Sequence, residues 1–289
     1  MNQQASPPNA AQTVWLNGAF MPLEEARVPV LDRGFIFGDG VYEVVPVYGG
    51  RPFRWAQHLA RLERSLDRVG IANPFDPAGW TGLVEELVAR HPWRDQFVYM
   101  QVTRGVARRD HAYPAGVAPT VFAMSSELLP VPPAQREQGL AAISLPDERW
   151  LHCDIKSTSL LGNVMARQAA IEAGAAECLM FRDGFLTEGS ASNIWVVRNG
   201  GVIGPPRNRL VLEGIRYGLL EELCRHAGLP FELRRIARAE VLAADEILLS
   251  SATKEVLAIT SLDGRPVGSG KPGPIWRKLY ESYQAAKQA

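Results

Sequence analysis

Residues 153–163 read Cys-Asp-Ile-Lys-Ser-Thr-Ser-Leu-Leu-Gly-Asn, which places Lys156 in a short polar segment just before a predicted helix. The chain has five lysines and 26 arginines, and Lys156 is the only lysine among the first 253 residues. A guanidinium stays protonated, whereas an amine can be desolvated, lose its proton and attack a carbonyl. Lys156 is therefore either an accident of composition or a nucleophile that arginine could not replace.

A second small, polar segment lies at residues 187–193, which read Thr-Glu-Gly-Ser-Ala-Ser-Asn between two apolar strands. Small side chains let the backbone of such a loop approach a ligand closely. Glu188 is the only charged residue in this segment. Taken alone, it is either a solvated turn carboxylate or a group that contacts a ligand.

Three further segments suit anions. Residues 213–216 (Glu-Gly-Ile-Arg) precede a predicted helix, whose free N–H groups bind phosphate oxygens. Residues 250–253 (Ser-Ser-Ala-Thr) follow a predicted strand and suit an anion nest. Residues 104–111 (Arg-Gly-Val-Ala-Arg-Arg-Asp-His) form either a solvated loop or a carboxylate trap, because a guanidinium forks onto a carboxylate and an imidazole adds a donor.

One motif is rejected. Residues 268–273 match Gly-x-Gly-x-x-Gly by letter, but Pro272 blocks the helix start that a dinucleotide or phosphate loop requires. We interpret this segment as a surface turn.

The composition limits the class of protein. The 289 residues carry zero net charge, which does not favour nucleic acid or an anionic membrane as a partner. The three cysteines are widely spaced without a C-x-x-C, which argues against disulfides and a metal site and for a reducing compartment. No apolar run approaches the roughly 20 residues that span a bilayer. We expect a cytoplasmic protein with a disordered tail at residues 1–12.

The hydrophobic pattern predicts strands and helices in both halves of the chain. Residues 14–21 form a hairpin that turns at Asn17-Gly18, and the turns at Asp183-Gly184 and Asn199-Gly200 indicate a β-meander. Prolines near residue 132 are expected to stop both helix and sheet. The predicted domains are therefore 13–127 and 137–289, joined by a linker at 128–136. Predicted strands are 41–47, 97–103, 120–124, 140–145, 177–181, 193–198 and 246–250, and predicted helices are 54–70, 79–90, 163–174, 215–227 and 276–287.

The chain resembles the fold type IV pyridoxal-phosphate aminotransferases, and within them the D-amino-acid aminotransferases. The resemblance extends from about residue 14 to about residue 263 and depends on four motifs in order. They are Asp-Gly-Val-Tyr-Glu-Val-Val at 39–45, His-Leu-Ala-Arg-Leu at 58–62, Asp-Ile-Lys-Ser at 154–157 with Leu-Gly-Asn-Val at 161–164, and Thr-Glu-Gly at 187–189 with Ser-Asn at 192–193.

The resemblance implies a mixed α/β (α+β) fold with two domains, a small N-terminal α/β domain and a larger C-terminal pseudobarrel that binds pyridoxal 5'-phosphate. It implies that Lys156 holds the cofactor as a Schiff base and moves the proton, and that Glu188 pairs with the pyridine nitrogen. It assigns the phosphate to a group comprising Arg61, Ile215, Arg216, Ser251 and Ala252. By the helical pattern alone, Arg61 is a residue of the polar face of the helix predicted at 54–70. It assigns the substrate to Tyr42, Val44, Arg109 and His111.

In relatives, the arginine and histidine of the substrate group reach in from the neighbouring subunit, which implies a homodimer. The chain departs from many relatives at Arg216, where threonine is common, and at Ala252, where a hydroxyl residue is common. Asp110 replaces a common asparagine, and Arg108 beside Arg109 leaves open which arginine is the carboxylate trap.

The expected reaction is transamination of a D-amino acid with a 2-oxo acid by a ping-pong route, with D-alanine and 2-oxoglutarate as the expected pair. Three alternatives share parts of the pattern: a branched-chain L-amino-acid aminotransferase, an aminodeoxychorismate lyase and a cofactor-binding protein without catalysis. Arg109-x-His111 argues against the branched-chain enzyme, and the joint presence of Lys156, Glu188 and Tyr42 argues against a protein without catalysis.

Overall fold

The computed structural model describes residues 12–288. They divide into two compact units: the chain up to Leu129 together with Lys156–Ser159, and the remainder, which is Pro130–Ile155 and the chain from Leu160 onward. The predicted tail at residues 1–12 lies outside the described residues except for Gln12. That residue is buried and donates a hydrogen bond to the carbonyl of Ser125, so the prediction is wrong for Gln12.

The first unit contains a six-stranded sheet in the order β2-β1-β6-β5-β3-β4. The hairpin predicted at Asn17-Gly18 is confirmed, and both turn residues have positive φ, as this type of tight turn requires. The elements are β1 (Thr13–Leu16), β2 (Ala19–Pro22), α1 (Arg33–Phe37), β3 (Gly40–Tyr48), β4 (Arg51–Pro52), α2 (Trp55–Val69), α3 (Pro77–Ala89), β5 (Gln96–Thr103) and β6 (Thr120–Glu127).

The two faces of this sheet differ because side chains alternate along a strand. Val41 and Val45 on β3 pair with fully buried valines on β5, and this face packs against α2. Tyr42 and Val44 point to the opposite face and are half-buried. Helix α3 packs against β1, β5 and β6 through apolar side chains that include Trp80 and Leu87, both fully buried.

The segment Lys156–Ser159 pairs with the start of β3. The N–H of Tyr42 donates to the carbonyl of Lys156 at 2.9 Å, and the N–H of Thr158 donates to the carbonyl of Gly40 at 2.9 Å. Gly38 has φ +65°, and a Cβ there would lie 2.8 Å from Oγ of Ser159. The close approach of this segment therefore requires a glycine at position 38.

The second unit contains a nine-stranded sheet in the order β12-β11-β10-β13-β14-β7-β8-β9, and β15 pairs with β14. The elements are α4 (Pro133–Gln138), β7 (Leu140–Pro146), α5 (Leu161–Glu172), β8 (Glu177–Arg182), β9 (Phe185–Gly189), β10 (Asn193–Arg198), β11 (Gly201–Gly204), α6 (Ile215–His226), β12 (Phe231–Leu233), α7 (Arg238–Leu242), β13 (Glu246–Ser251), β14 (Glu255–Leu262), β15 (Arg265–Pro266) and α8 (Pro274–Ala286).

Two local expectations for this unit are wrong. The turns predicted a β-meander, but β9 and β10 are not neighbours, because β10 pairs with β11 and β13 while β9 pairs with β8. The prolines were expected to stop a helix, but Pro133 begins α4. Proline is tolerated in the first helical turn, where its missing N–H has no helical partner to lose.

The core of the second unit lies along its central strands. Consecutive residues there are buried on both faces of the sheet, at 194–197 on β10 and at 247–249 on β13, and all are at most 1% exposed. Such continuous apolar strands are typical of a sheet covered on both faces.

The segment predicted as a surface turn, residues 268–273, has no regular secondary structure. Among residues 12–288, no helix has the length and apolar character needed to cross a membrane.

Candidate active site

Glu188 lies at the centre of a buried polar cluster in the second unit. It is on β9 and is only 5% exposed. Its carboxylate accepts hydrogen bonds from Arg149, from Nδ2 of Asn193 at 3.0 Å and from the N–H of Leu212 at 3.2 Å. Burial raises the pKa of Glu188, and the Arg149 guanidinium and the Leu212 N–H offset this only in part. Glu188 is therefore a desolvated, oriented carboxyl and not a solvated turn residue.

Arg149 connects Glu188 to a second buried carboxylate. Its Nε and Nη2 donate to Asp147 at 3.0 and 2.9 Å, while Nη1 donates to Glu188. Thr187 and Arg182 also contact Asp147, at 2.8 and 3.1 Å. Burial alone would raise the pKa of Asp147, but Arg149 outweighs it and holds this pKa below its usual value. The cluster thus fixes the orientation of the Glu188 carboxylate through Arg149.

The start of α6 lies beside the same cluster. Asn193 bridges Glu188 and the carbonyl of Leu212 at 2.9 Å, so the loop before α6 is tied to β9 and β10. Gly214 precedes the helix, and a Cβ there would lie 2.2 Å from Oδ1 of Asn193. Among the described residues, no side chain caps this 12-residue helix. Its first N–H groups are therefore available to an anion.

Arg216 connects the start of α6 to the turn after β13. It is 2% exposed, and its Nη2 donates to the carbonyl of Ala252 at 3.1 Å. Its guanidinium also lies 5.4 Å from the ring centre of Tyr283 on α8. The structure therefore connects Arg216 to the Ala252 turn and connects Glu188, through Asn193, to the loop before α6. The resemblance assigned all three residues to one cofactor, and Ile215 and Ser251 are the chain neighbours of Arg216 and Ala252.

Lys156 lies in the first unit beside Tyr42. Its Nζ is 4.1 Å from the centre of the Tyr42 ring. The Tyr42 ring stacks on Tyr99 with 5.6 Å between centroids, and Val44 and Tyr99 are register partners on this face of the sheet. Burial, with a smaller effect of Tyr42, raises the pKa of Tyr99 to about 12. The structure thus places Lys156, Tyr42 and Val44 at one face of β3.

Arg61 is buried beneath the opposite face of β3. The sequence pattern placed it on the polar face of α2, but it is 5% exposed and forms a fork with Glu43 at 2.7 and 2.8 Å. Nδ1 of His58 contacts the same carboxylate at 2.8 Å. Burial alone would raise the pKa of Glu43, but Arg61 and His58 together hold it far below its usual range.

The basic segment at residues 104–111 divides into a buried part and an exposed part. Arg104 is buried and forks onto Asp39 at 2.8 and 3.0 Å, so it is neither solvated nor available to a substrate. Arg109 and His111 are exposed, and both side chains lie against the ring of Phe37, at 5.5 and 5.4 Å. The structure therefore places both Arg109 and His111 against one aromatic ring.

Comparison with known proteins gives the same class from an independent direction. The family model for "Amino-transferase class IV" matches residues 40–262. The chain is 42% identical over 273 residues to a D-alanine aminotransferase of Bacillus licheniformis, a match that covers 94% of this chain and 95% of that protein. This chain belongs to the class IV aminotransferases.

Other relatives agree with this assignment. A D-alanine aminotransferase of Staphylococcus aureus is 34% identical over 94% of this aminotransferase and 97% of its own length. A branched-chain amino acid aminotransferase of Escherichia coli has the same fold, with a TM-score of 0.90 at 22% identity over 95% and 94% of the two chains. A second branched-chain amino acid aminotransferase, solved with pyridoxamine 5'-phosphate, has a TM-score of 0.89 at 26% identity over 96% and 94%.

The predicted fold type IV architecture and the predicted enzyme class are thus confirmed, and the chain is a pyridoxal-phosphate-dependent aminotransferase. The residues present fit that cofactor. An oriented, desolvated carboxyl is available for the ring nitrogen, and an uncapped helix start beside the Ala252 turn is available for the phosphate.

Sequence reasoning missed Arg149, Asp147 and Phe37. Arg149 is one of 26 arginines, and nothing in its local sequence distinguishes it. Its partner Glu188 is 39 positions away, so only the fold brings the two together. Phe37 had a usable signal, since it immediately precedes the Gly-Asp-Gly that introduces β3.

Proposed function

We propose that this aminotransferase transfers the amino group of a D-amino acid to a 2-oxo acid by a ping-pong reaction, with D-alanine and 2-oxoglutarate as the substrate pair. The observation that carries the proposal is the contact of both Arg109 and His111 with the Phe37 ring. A guanidinium and an imidazole that are both held near one ring suit a carboxylate. The 42% identity to a D-alanine aminotransferase supports the same substrate class.

Pyridoxal phosphate supplies the electron sink when it is bound, and the residues of this chain position it and move protons. Lys156 holds the cofactor covalently through Nζ and exchanges the proton at the substrate Cα. This role requires a neutral amine, because only an unprotonated amine can attack a carbonyl or act as a base. Tyr42, whose ring lies 4.1 Å from Nζ, limits where that amine can move.

Glu188 would accept a hydrogen bond from the protonated ring nitrogen of the bound cofactor and so keep that nitrogen charged. Its position is set by Arg149, Asn193 and the Leu212 N–H. A carboxyl whose pKa is raised by burial gains most from a nearby positive charge, since such a charge stabilises its ionised form.

The phosphate is assigned to a group that only anchors the cofactor, namely Arg61, Ile215, Arg216, Ser251 and Ala252. Arg216 and Ala252 differ from the threonine and hydroxyl residue common in relatives, so backbone N–H groups at the start of α6 carry more of the binding. Arg109 and His111 grip the substrate α-carboxylate together with Tyr42 and Val44. Gripping the carboxylate on one side determines which face of the amino acid is presented and therefore which hand reacts.

Further parts of the proposal concern assembly. The enzyme is a cytoplasmic homodimer in which Arg109 and His111 of one subunit serve the partner's substrate, with neither nucleic acid nor membrane as a partner. The proposed domains are a small domain at residues 13–127 and a cofactor-binding domain at residues 137–289, with residues 128–136 as the connection. The change of compact unit after Leu129 supports this division, and Lys156–Ser159 are the exception because they belong to the first unit.

The test is a panel of amine donors added to the purified, cofactor-loaded protein. D-alanine should bleach the visible band of the bound cofactor, and L-leucine at the same concentration should leave it unchanged. Bleaching by L-leucine alone would favour a branched-chain L-amino-acid aminotransferase. Release of pyruvate from aminodeoxychorismate would favour the lyase, and a band that no amine changes would indicate a protein without catalysis.

A further inference from the structure

Phe37 lies at the point where the residues proposed to bind substrate meet the rigid part of the first unit. It is the last residue of α1 and is half-buried. The guanidinium of Arg109 lies 5.5 Å from its ring centre, and the imidazole of His111 lies 5.4 Å from it at 38°. A cation within about 6 Å of an aromatic face is attracted to it. One ring therefore contacts both members of the carboxylate-binding pair.

The backbone beneath this pair is fixed to the same helix. Arg33, at the first position of α1, donates from Nη1 to the carbonyl of Asp110 at 2.5 Å and from Nη2 to the carbonyl of His111 at 3.4 Å. Its guanidinium is also 4.9 Å from the centre of the Phe37 ring. Arg33 thus holds the main chain at residues 110 and 111. Its guanidinium also contacts the Phe37 ring, which the side chains of Arg109 and His111 contact as well.

A buried ion cluster anchors Arg33 in turn. Nε of Arg33 and Nε of Arg104 both donate to Oδ2 of Asp39, at 2.7 and 2.8 Å. Arg104 also donates to the carbonyls of Val69 and Gly70, at 2.6 and 2.8 Å, which ties the cluster to the end of α2. Burial alone would raise the pKa of Asp39, but the two guanidiniums hold it below its usual value. The support behind Phe37 is therefore rigid and charged at neutral pH.

We infer that Phe37 is a positioning residue for substrate recognition, because its ring holds the side chains of Arg109 and His111 in the orientation that receives the substrate carboxylate. Arg109 and His111 are exposed, and a free arginine side chain samples many rotamers. If these side chains are ordered before substrate arrives, less side-chain conformational entropy is lost on binding. The inference rests on the proposed role of Arg109 and His111. It adds that their orientation comes from within their own chain.

The test separates substrate binding from turnover and from folding. Phe37→Leu should raise KM for D-alanine roughly three- to tenfold, the size expected for losing a cation–aromatic contact at a partly exposed site, and leave kcat within about twofold. Phe37→Tyr keeps an aromatic face and should restore the wild-type KM. Phe35→Leu is the matched control, since Phe35 is on the same helix, is 76% exposed and has no ring contact among the described residues.

The outcomes distinguish this inference from the proposed function on which it rests. Arg109→Leu, measured in parallel, reports on the carboxylate grip itself. If Arg109→Leu raises KM and Phe37→Leu does not, the grip stands and the positioning role of Phe37 is wrong. If neither variant raises KM, the assignment of Arg109 to the substrate is wrong. A fall in kcat and melting temperature with KM unchanged would make Phe37 a structural residue only.

Discussion

Arg149 donates a hydrogen bond to the carboxylate of Glu188, and both side chains are less than a tenth exposed. The same guanidinium forks onto Asp147, which is fully buried. One cation therefore compensates two desolvated carboxylates, so its removal leaves two buried negative charges without this partner.

Replacing Arg149 with methionine should destabilise the protein by about 3–5 kcal/mol, because breaking a buried ion pair leaves charge without compensation. The pKa of Glu188, already raised by burial, should rise further. Urea denaturation of the cofactor-free protein measures the loss. Arg149→Lys should lose less stability, since lysine keeps the positive charge but cannot donate two parallel hydrogen bonds to one carboxylate. A methionine variant within about 1 kcal/mol of wild type would contradict the role given to this pair.

Replacing Arg109 with leucine should raise KM for D-alanine by roughly 10- to 100-fold, the range expected for a lost charge-assisted hydrogen bond. Arg108→Leu should stay within about twofold of wild type, because it is Arg109 that lies against Phe37 with His111. Steady-state kinetics of the two variants compare neighbouring positions in the same loop. A large effect from Arg108→Leu alone would shift the assignment by one residue.

Glu43 should make the stability of the protein fall in acid. Arg61 and His58 hold its pKa far below normal in the folded state, whereas in the unfolded chain it returns to an ordinary value near 4.3. The contribution of the Glu43 carboxylate to the free energy of unfolding is therefore fully present at neutral pH. It is lost as pH falls below about 4.3, by up to about 1.4 kcal/mol per pH unit.

Melting temperatures from pH 6 down to about pH 3.5, measured for wild type and Glu43→Gln, test this expectation. The variant should be less stable at neutral pH, and the difference should narrow as pH falls. A constant difference over the whole range would show that ionisation of Glu43 does not contribute.

The three thiols should be unreactive in the folded protein at pH 8. All are buried, and burial raises the pKa of Cys153 to about 11, of Cys178 to about 11 and of Cys224 to about 12. Only the thiolate reacts readily with disulfide reagents. Titration with Ellman's reagent should therefore detect no fast-reacting thiol natively and all three in denaturant. Rapid labelling of one cysteine in the native protein would show that its surroundings open to solvent.

Local signals in the sequence predicted local structure well. The Asn17-Gly18 turn specified the first hairpin because both residues adopt positive φ without strain. Helical spacing predicted α2. The helix consists of Trp55–Val69 and is followed by Gly70, whose φ is +63°. These features depend only on residues within a few positions of one another.

Long-range pairing could not be read from the sequence. The Asp183-Gly184 and Asn199-Gly200 turns form two hairpins as expected, but nothing local shows that β10 pairs with β13 instead of β9. Arg61 shows the same limit for a side chain. Its helical position predicted exposure, and a carboxylate 18 positions earlier, Glu43, draws it into the interior.

The central claim is the covalent attachment of the cofactor at Lys156, and borohydride trapping tests it most directly. Reduction of the cofactor-loaded protein followed by peptide mapping should place the label on the peptide that contains Lys156. Lys254 is the informative competitor, because burial lowers the pKa of its amine. A label on Lys254, on another lysine or on none would contradict the account.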